Sequence, residues 1–178
     1  GVEFDYILFD ACFMANVESA YELRNSTRYI IGSVCEIMGS GFPYNTVLPE
    51  MLTNGGRGYN LDGICRAFNS FYKENYGYSG SIATIDCSQL DALATVMKQI
   101  NAGAKKSYDI NTLQFYEGQY DHIFFDLGDY VDKACTDAAA VSSFKAQMEK
   151  AVPAKFTLDS FWSTYVTSNH YPVTSFSG

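Results

Sequence analysis

Histidine is nearly absent: His122 and His170 are the only two in 178 residues. Chemistry that needs an imidazole base therefore has two candidates here, unless another segment supplies one. Closely spaced cysteine pairs are absent too. Cys12, Cys35, Cys65, Cys87 and Cys135 contain no C-x-x-C and no zinc spacing. Their odd number cannot pair fully within one chain, and their density is too low for a disulfide framework. Basic residues are outnumbered, 12 Lys and Arg against 20 Asp and Glu, for a net charge of −8. That argues against non-specific nucleic-acid binding and leaves solubility, or a weak preference for basic partners. No run is long and apolar enough to span a membrane, and the first residues do not read as a signal peptide. The chain opens Gly1-Val2 without Met. Either an upstream portion has been removed, or Gly1 remains from a tag.

What is present suits one domain, or a large piece of one, with enough chain to bury a real core. Hydrophobic residues make up 47%, with 14 Tyr and 13 Phe. Residues 2–9, VEFDYILF, read as a strand entering a sheet buried on both faces. Residues 14–25 have helical spacing, with Glu18 in the first turn. Residues 29–34 read as a second strand, and Gly39, Gly41 and Pro43 then break the chain. Helices are expected over 45–53 and 60–76, and a third strand over 80–86. Ser88 and Asp91 stand in capping-box spacing ahead of a helix over 88–100. Residues 104–120 are mixed. Helices follow over 126–135 and 138–151, with strand signals at 156–167. The tail ends at TSFSG as though cut within an element. The alternation of strands and helices predicts an α/β layered fold with a mainly parallel sheet, whose site lies beyond the strand ends.

Cys12 sits at one such strand end. A thiol entering a helix gains from the unpaired N–H groups there, which stabilise a thiolate and can bind an oxyanion. A buried, inert thiol occupies such a place equally well, and position alone leaves both readings open.

The wider string narrows the choice. It carries D-A-C-x-M after an apolar strand, then V-E-x-A-Y-E-L-R, Y-I-I-x-S and E-I-x-G-x-G-F-P-Y, all within residues 7–44. This resembles the clostripain family of cysteine endopeptidases. The strand SIATID and the tail HYPVTSFSG fit the family's layout more loosely. The resemblance implies a caspase-like α/β/α sandwich, incomplete here at both chain ends. It implies a Cys/His dyad, cleavage after Arg or Lys, and a precursor cut into light and heavy chains. Cys12 is then the nucleophile, and its own N–H an oxyanion donor. Asp10 lies at the floor of the P1 pocket, with a helix-proximal cap as its plainer role. Ser33 to Glu36 lie along the bound peptide, where strand addition supplies affinity. Cys35 reads as a core thiol. Gly39, Gly41, Pro43 and Tyr44 read as pocket rim or as plain turn. A secreted or cell-envelope bacterial protein is implied, and the partners are an Arg/Lys peptide substrate and the light-chain fragment.

The family's catalytic His lies upstream of the Cys, and the 11 residues before Cys12 contain none. Neither His122 nor His170 matches the His motif. The 178 residues therefore read as a partial peptidase domain whose His lies on a separate fragment. Two other readings stay open: a peptide-binding or scaffold fragment without chemistry, and another thiol enzyme such as an amidohydrolase. NGGRGYN, residues 54–60, lacks phosphate-loop spacing and reads as an interhelical loop. Asp126, Asp129 and Asp132 lack the pattern of an EF-hand and read as a solvated helix face. Some family members use calcium, but no metal or other cofactor site is identified in this sequence.

Overall fold

The computed structural model describes residues 3–52, 58–104, 108–164 and 169–178. Four strands form the main sheet: β1 (Phe4–Leu8), β2 (Thr27–Gly32), β3 (Ile82–Asp86) and β4 (Ala154–Phe156), in that order. Helix α1 (Val17–Leu23) connects β1 to β2. Helices α2 (Tyr44–Leu52) and α3 (Leu61–Asn75) connect β2 to β3. Helices α4 (Leu90–Gly103), α5 (Leu127–Ala134) and α6 (Ala138–Ala151) lie between β3 and β4. A separate hairpin pairs β5 (Ser160–Ser163) with β6 (Asn169–Pro172).

The sheet is mixed, not mainly parallel. β1 and β2 are parallel, while β2 with β3 and β3 with β4 are antiparallel. The reason lies in the crossovers. One helix, α1, returns the chain to its starting end and yields a parallel neighbour. Two helices packed on each other, α2 with α3 and then α4 with α6, traverse the layer twice and deliver the next strand in the opposite sense.

Successive side chains of a strand point to opposite faces, and Ile30 and Ile31 show it. Both are fully buried, yet in different cores. Ile31 packs with Val47, Ile64, Phe68 and Tyr72 under α2 and α3. Ile30 packs with Ala20, Leu93, Phe144 and Met148 under α1, α4 and α6. In α3 the buried stripe Ile64, Phe68, Tyr72 recurs every fourth residue, as a helix facing a sheet requires. Each such side chain contributes about 1.5–3 kcal/mol by leaving water.

Several local expectations are corrected. β1 stands at the sheet edge, and its first residues are exposed, Phe4 at 56%. Ser88 does not cap α4: Asp86 accepts the Ser88 N–H and opens a short 3-10 turn, Cys87–Gln89, before the helix. The aspartates of 126–132 do not form a solvated face. Asp126 is 2% exposed and caps α5, while Asp132 pairs with Lys145 at the surface. Residues 54–57 of the glycine-rich stretch lie outside the described residues.

Candidate active site

Cys12 does not open a helix. It lies in a turn between β1 and α1, and the helix begins only at the Asn16 cap. Asn16 serves both sides of that junction: its Oδ1 accepts the Ser19 N–H at 2.8 Å, and its Nδ2 donates to the Phe13 carbonyl at 2.6 Å. Phe13 takes φ +62, a conformation that side-chain-bearing residues adopt rarely. Its ring stacks on Phe124 at 4.9 Å, nearly parallel.

The turn is gripped by the segment after β2. Ala15 N–H donates to the Ser33 carbonyl at 3.0 Å, and Phe13 N–H to the Cys35 carbonyl at 3.3 Å. Ile37 N–H donates to the Cys12 sulfur at 3.3 Å. Gly32 permits this approach, because a Cβ there would stand 3.0 Å from Ala15 N and 3.1 Å from the Met14 carbonyl carbon. The N–H that addresses the sulfur thus comes from a neighbouring loop rather than from the first turn of α1.

Among the five cysteines Cys12 alone is half-buried; the other four are buried. Burial pushes the Cys35 thiol up to about 11, and the Cys65 thiol likewise to about 11. Both remain neutral thiols at physiological pH.

Asp10 is exposed, two residues before Cys12. Tyr44 OH donates to its Oδ2 at 3.0 Å. Gly41 at φ +62 lies against the same carboxylate: an added Cβ would meet Oδ2 at 2.8 Å and Oδ1 at 2.9 Å. The Gly41 carbonyl in turn accepts the Tyr72 hydroxyl, which itself accepts the Met38 N–H. Asp10 is therefore not a helix cap. It is a carboxylate seated on a glycine-floored loop that α3 braces.

Ser33 and Glu36 point away from solvent. Ser33 is fully buried; its hydroxyl accepts the Cys35 N–H at 3.2 Å and donates to the Cys35 carbonyl at 3.1 Å. Glu36, 8% exposed, accepts from Ser163 Oγ at 2.6 Å, Thr164 N at 2.8 Å and Thr164 Oγ1 at 2.7 Å. The Cys12 turn and the segment 33–37 thus lie hydrogen-bonded side by side, with the side chains of Ser33 and Glu36 spent on structure.

The two imidazoles are engaged elsewhere. His122 stacks on Phe115 at 3.7 Å, with Nδ1 3.1 Å from the Oε2 of fully buried Glu117. His170 packs edge-on against Tyr78 and Trp162. A cavity of about 880 Å³ lies between α1, α4 and the 108–127 segment, lined by Val17, Tyr21, Leu93, Met97, Ile110 and Phe124 among others. Neither Cys12 nor Asp10 lines it, and the candidate chemistry stays at the Cys12 turn. Among the described residues no cluster of His, Cys, Asp and Glu suits a metal ion, and no helix is long and apolar enough to cross a membrane.

Sequence reasoning missed Ile37, whose contribution is a backbone N–H and leaves no signature. It also missed Glu36's partners, which lie 127 and 128 positions away.

Comparison with known proteins adds the following. The model of the Clostripain family, C11 peptidases, matches residues 1–171. A clostripain from Bacteroides thetaiotaomicron ATCC 29148, solved with the peptide inhibitor BTN-VLTK-AOMK, is 39% identical with a TM-score of 0.89; the match covers 100% of this chain and 78% of that one. A secreted C11 cysteine protease from the same species, iotapain, gives 39% and 0.89, covering 100% of this chain and 49% of that one. An inactive zymogen C11 protease from Parabacteroides distasonis gives 31% and 0.88, covering 99% and 51%. The chain thus spans about half the length of the last two. A search of curated proteins finds no match.

Proposed function

This chain belongs to the clostripain family of C11 cysteine peptidases, and from that premise we propose that it is the Cys-bearing part of an endopeptidase that cleaves after Arg or Lys. The observation that carries the reading is the half-buried Cys12 sulfur accepting the Ile37 N–H, with the exposed Asp10 carboxylate two residues away.

Cys12 thiolate attacks the carbonyl carbon of the scissile peptide, and the C=O electrons move onto oxygen. The Cys12 N–H is the oxyanion donor in this reading. Collapse breaks the C–N bond, and an imidazolium protonates the leaving amine. Water then hydrolyses the thioester, with the neutral imidazole as its base. That imidazole comes from an upstream light-chain fragment of the same precursor, because His122 and His170 are held by other partners. Residues 1–178 are one part of a caspase-like peptidase domain in this account.

Asp10 meets the P1 guanidinium or ammonium. Tyr44 and Gly41 hold the carboxylate without neutralising it, which leaves its charge to select a cation. The relative's inhibitor sequence VLTK, with Lys next to its AOMK group, fits the same P1 choice. In this reading the peptide pairs along residues 33–36 through backbone groups other than the Ser33 and Cys35 carbonyls and the Cys35 N–H, since those and the side chains of Ser33 and Glu36 are committed. Secretion follows by likeness to iotapain, a secreted protease.

A second reading keeps the groove without the chemistry. It is favoured by the engagement of both imidazoles. One experiment separates the two. The natural protein is treated with a lysyl or arginyl chloromethyl ketone, and intact masses of all species are read. Label at Cys12 together with a His-bearing companion fragment supports the peptidase. An unlabelled Cys12 in a protein with no companion overturns it.

A further inference from the structure

Glu36 is an acidic side chain that one would place in the substrate groove, yet its two oxygens face protein donors. Oε1 accepts from Ser163 Oγ and Thr164 N, and Oε2 from Thr164 Oγ1. Ser163 is itself fully buried and accepts the Gly118 N–H at 2.9 Å, so the carboxylate is fixed to a rigid hairpin end rather than to a loose tail. The next residue along the chain is Ile37, whose N–H addresses Cys12. The preceding residue is Cys35, whose carbonyl holds the Phe13 N–H. Glu36 therefore sits between two of the three backbone groups that grip the nucleophile's turn, and its side chain pins that backbone to β5.

We propose that Glu36 is a positioning residue: clamped by Ser163 and Thr164, it sets the 35–37 backbone so that the Ile37 N–H stays on the Cys12 sulfur. The inference rests on Cys12 being the nucleophile. It assigns Glu36 no contact with substrate. A carboxylate holding three donors at 2.6–2.8 Å is a stiff anchor, because ionised acceptors form the stronger hydrogen bonds. Without it, residues 35–37 lose their side-chain tether to the hairpin. The Ile37 N–H then spends less time on the sulfur.

The test uses the natural protein and two readouts. The first is the rate of Cys12 alkylation by iodoacetamide, followed by peptide mass mapping, which needs no completed dyad. The second is kcat against KM on an Arg or Lys peptide. Glu36→Ala slows alkylation about tenfold, the scale of one lost charge-assisted hydrogen bond, and lowers kcat with KM within about threefold. Glu36→Gln restores both to within about twofold, because its oxygen accepts from Ser163 and Thr164 N while its amide donates to a turned Thr164 hydroxyl. A residue that touches substrate behaves otherwise: Gln is then as poor as Ala, and KM carries the loss. Unchanged Cys12 alkylation in Glu36→Ala overturns the proposal, as does failure of Gln to rescue. Should Glu36→Ala not fold, Thr164→Val decides from the exposed side of the clamp. It slows alkylation two- to threefold, and an unchanged rate is fatal to the idea. Full hydrolysis by Cys12→Ala instead removes the nucleophile reading, while the alkylation rates still judge the clamp.

Discussion

The Ile37 N–H lies 3.3 Å from the Cys12 sulfur, across a gap of 25 residues in sequence. Exposure singles out this thiol among the five. Cys35, Cys65, Cys87 and Cys135 are buried, whereas Cys12 is half-buried and hydrogen-bonded to a backbone donor. Titration of the native chain with Ellman's reagent at pH 8 is expected to consume one thiol rapidly, and the remaining four only after denaturation. Cys12→Ala should remove the fast phase entirely. A fast phase that survives the substitution would place the reactive thiol elsewhere.

The Tyr44 hydroxyl is the next test of the site. Partial burial, followed by the hydrogen bond and charge of Asp10, pushes this phenol above its ordinary value, so it remains a donor through neutral and mildly alkaline pH. Tyr44→Phe frees the Asp10 carboxylate to rotate without changing its charge. KM for Arg and Lys peptides should rise about three- to tenfold with kcat within about twofold, the signature of weakened binding that ground state and transition state share. Stability should move by less than about 1 kcal/mol, because the ring edge is exposed. Steady-state kinetics and a urea melt on one preparation check both.

Asp126 anchors the far end of the chain. Its carboxylate accepts from Tyr116 OH, Asp129 N, Ser175 Oγ, Ser177 N and Ser177 Oγ. Removing this buried, fully hydrogen-bonded carboxylate orphans those donors, at about 1–3 kcal/mol for each left unsatisfied and about 3–5 kcal/mol in all once water reaches some of them. Asp126→Ala should lower Tm by roughly 6–20 °C for a chain of this size. Asp126→Asn keeps the shape and one acceptor oxygen, so its loss should be smaller. Equal melting of wild type and Asp126→Ala would deny this network its structural weight.

Legibility in the sequence followed range. The β1 strand and the turn at Gly41 were readable because their signals are local: an apolar run, and a glycine where φ is positive. The helices α2, α3 and α6 lie within a residue or so of the expected ranges 45–53, 60–76 and 138–151. The sense of β3 was misread although a cue existed, since two helices rather than one precede it. Asp126 had a cue as well: an Asp directly before an apolar residue, three before Asp129, is an N-cap pattern, and helical spacing hid it. The grip on Cys12 had no cue. It consists of backbone groups of residues 33–37, and a sequence records side chains, not the direction of a carbonyl or an N–H.

Buried thiols make the last prediction, and its sign follows from linkage. Burial, the largest cause, raises the Cys35, Cys65 and Cys87 thiols from 9.0 to about 11. In the unfolded chain each ionises near its ordinary value, so between pH 9 and 11 the unfolded state sheds protons that the folded state keeps. The stability these thiols contribute is therefore complete below pH 9 and lost as the pH climbs toward 11. Each is worth up to about 2.7 kcal/mol over that window, or roughly 1.4 kcal/mol per pH unit. Urea midpoints measured from pH 7 to 11 under reducing conditions should hold steady to about pH 8.5 and then fall. Cys65→Ser retains a partner in Thr84 Oγ1, 3.3 Å from the present sulfur, and has no group that ionises in this range. Its curve should fall about two-thirds as steeply through the alkaline limb, where two of the three raised thiols remain. A wild-type midpoint that stays flat to pH 10.5 would mean that water reaches them and that the cores on the two faces of the sheet are looser than their packing implies.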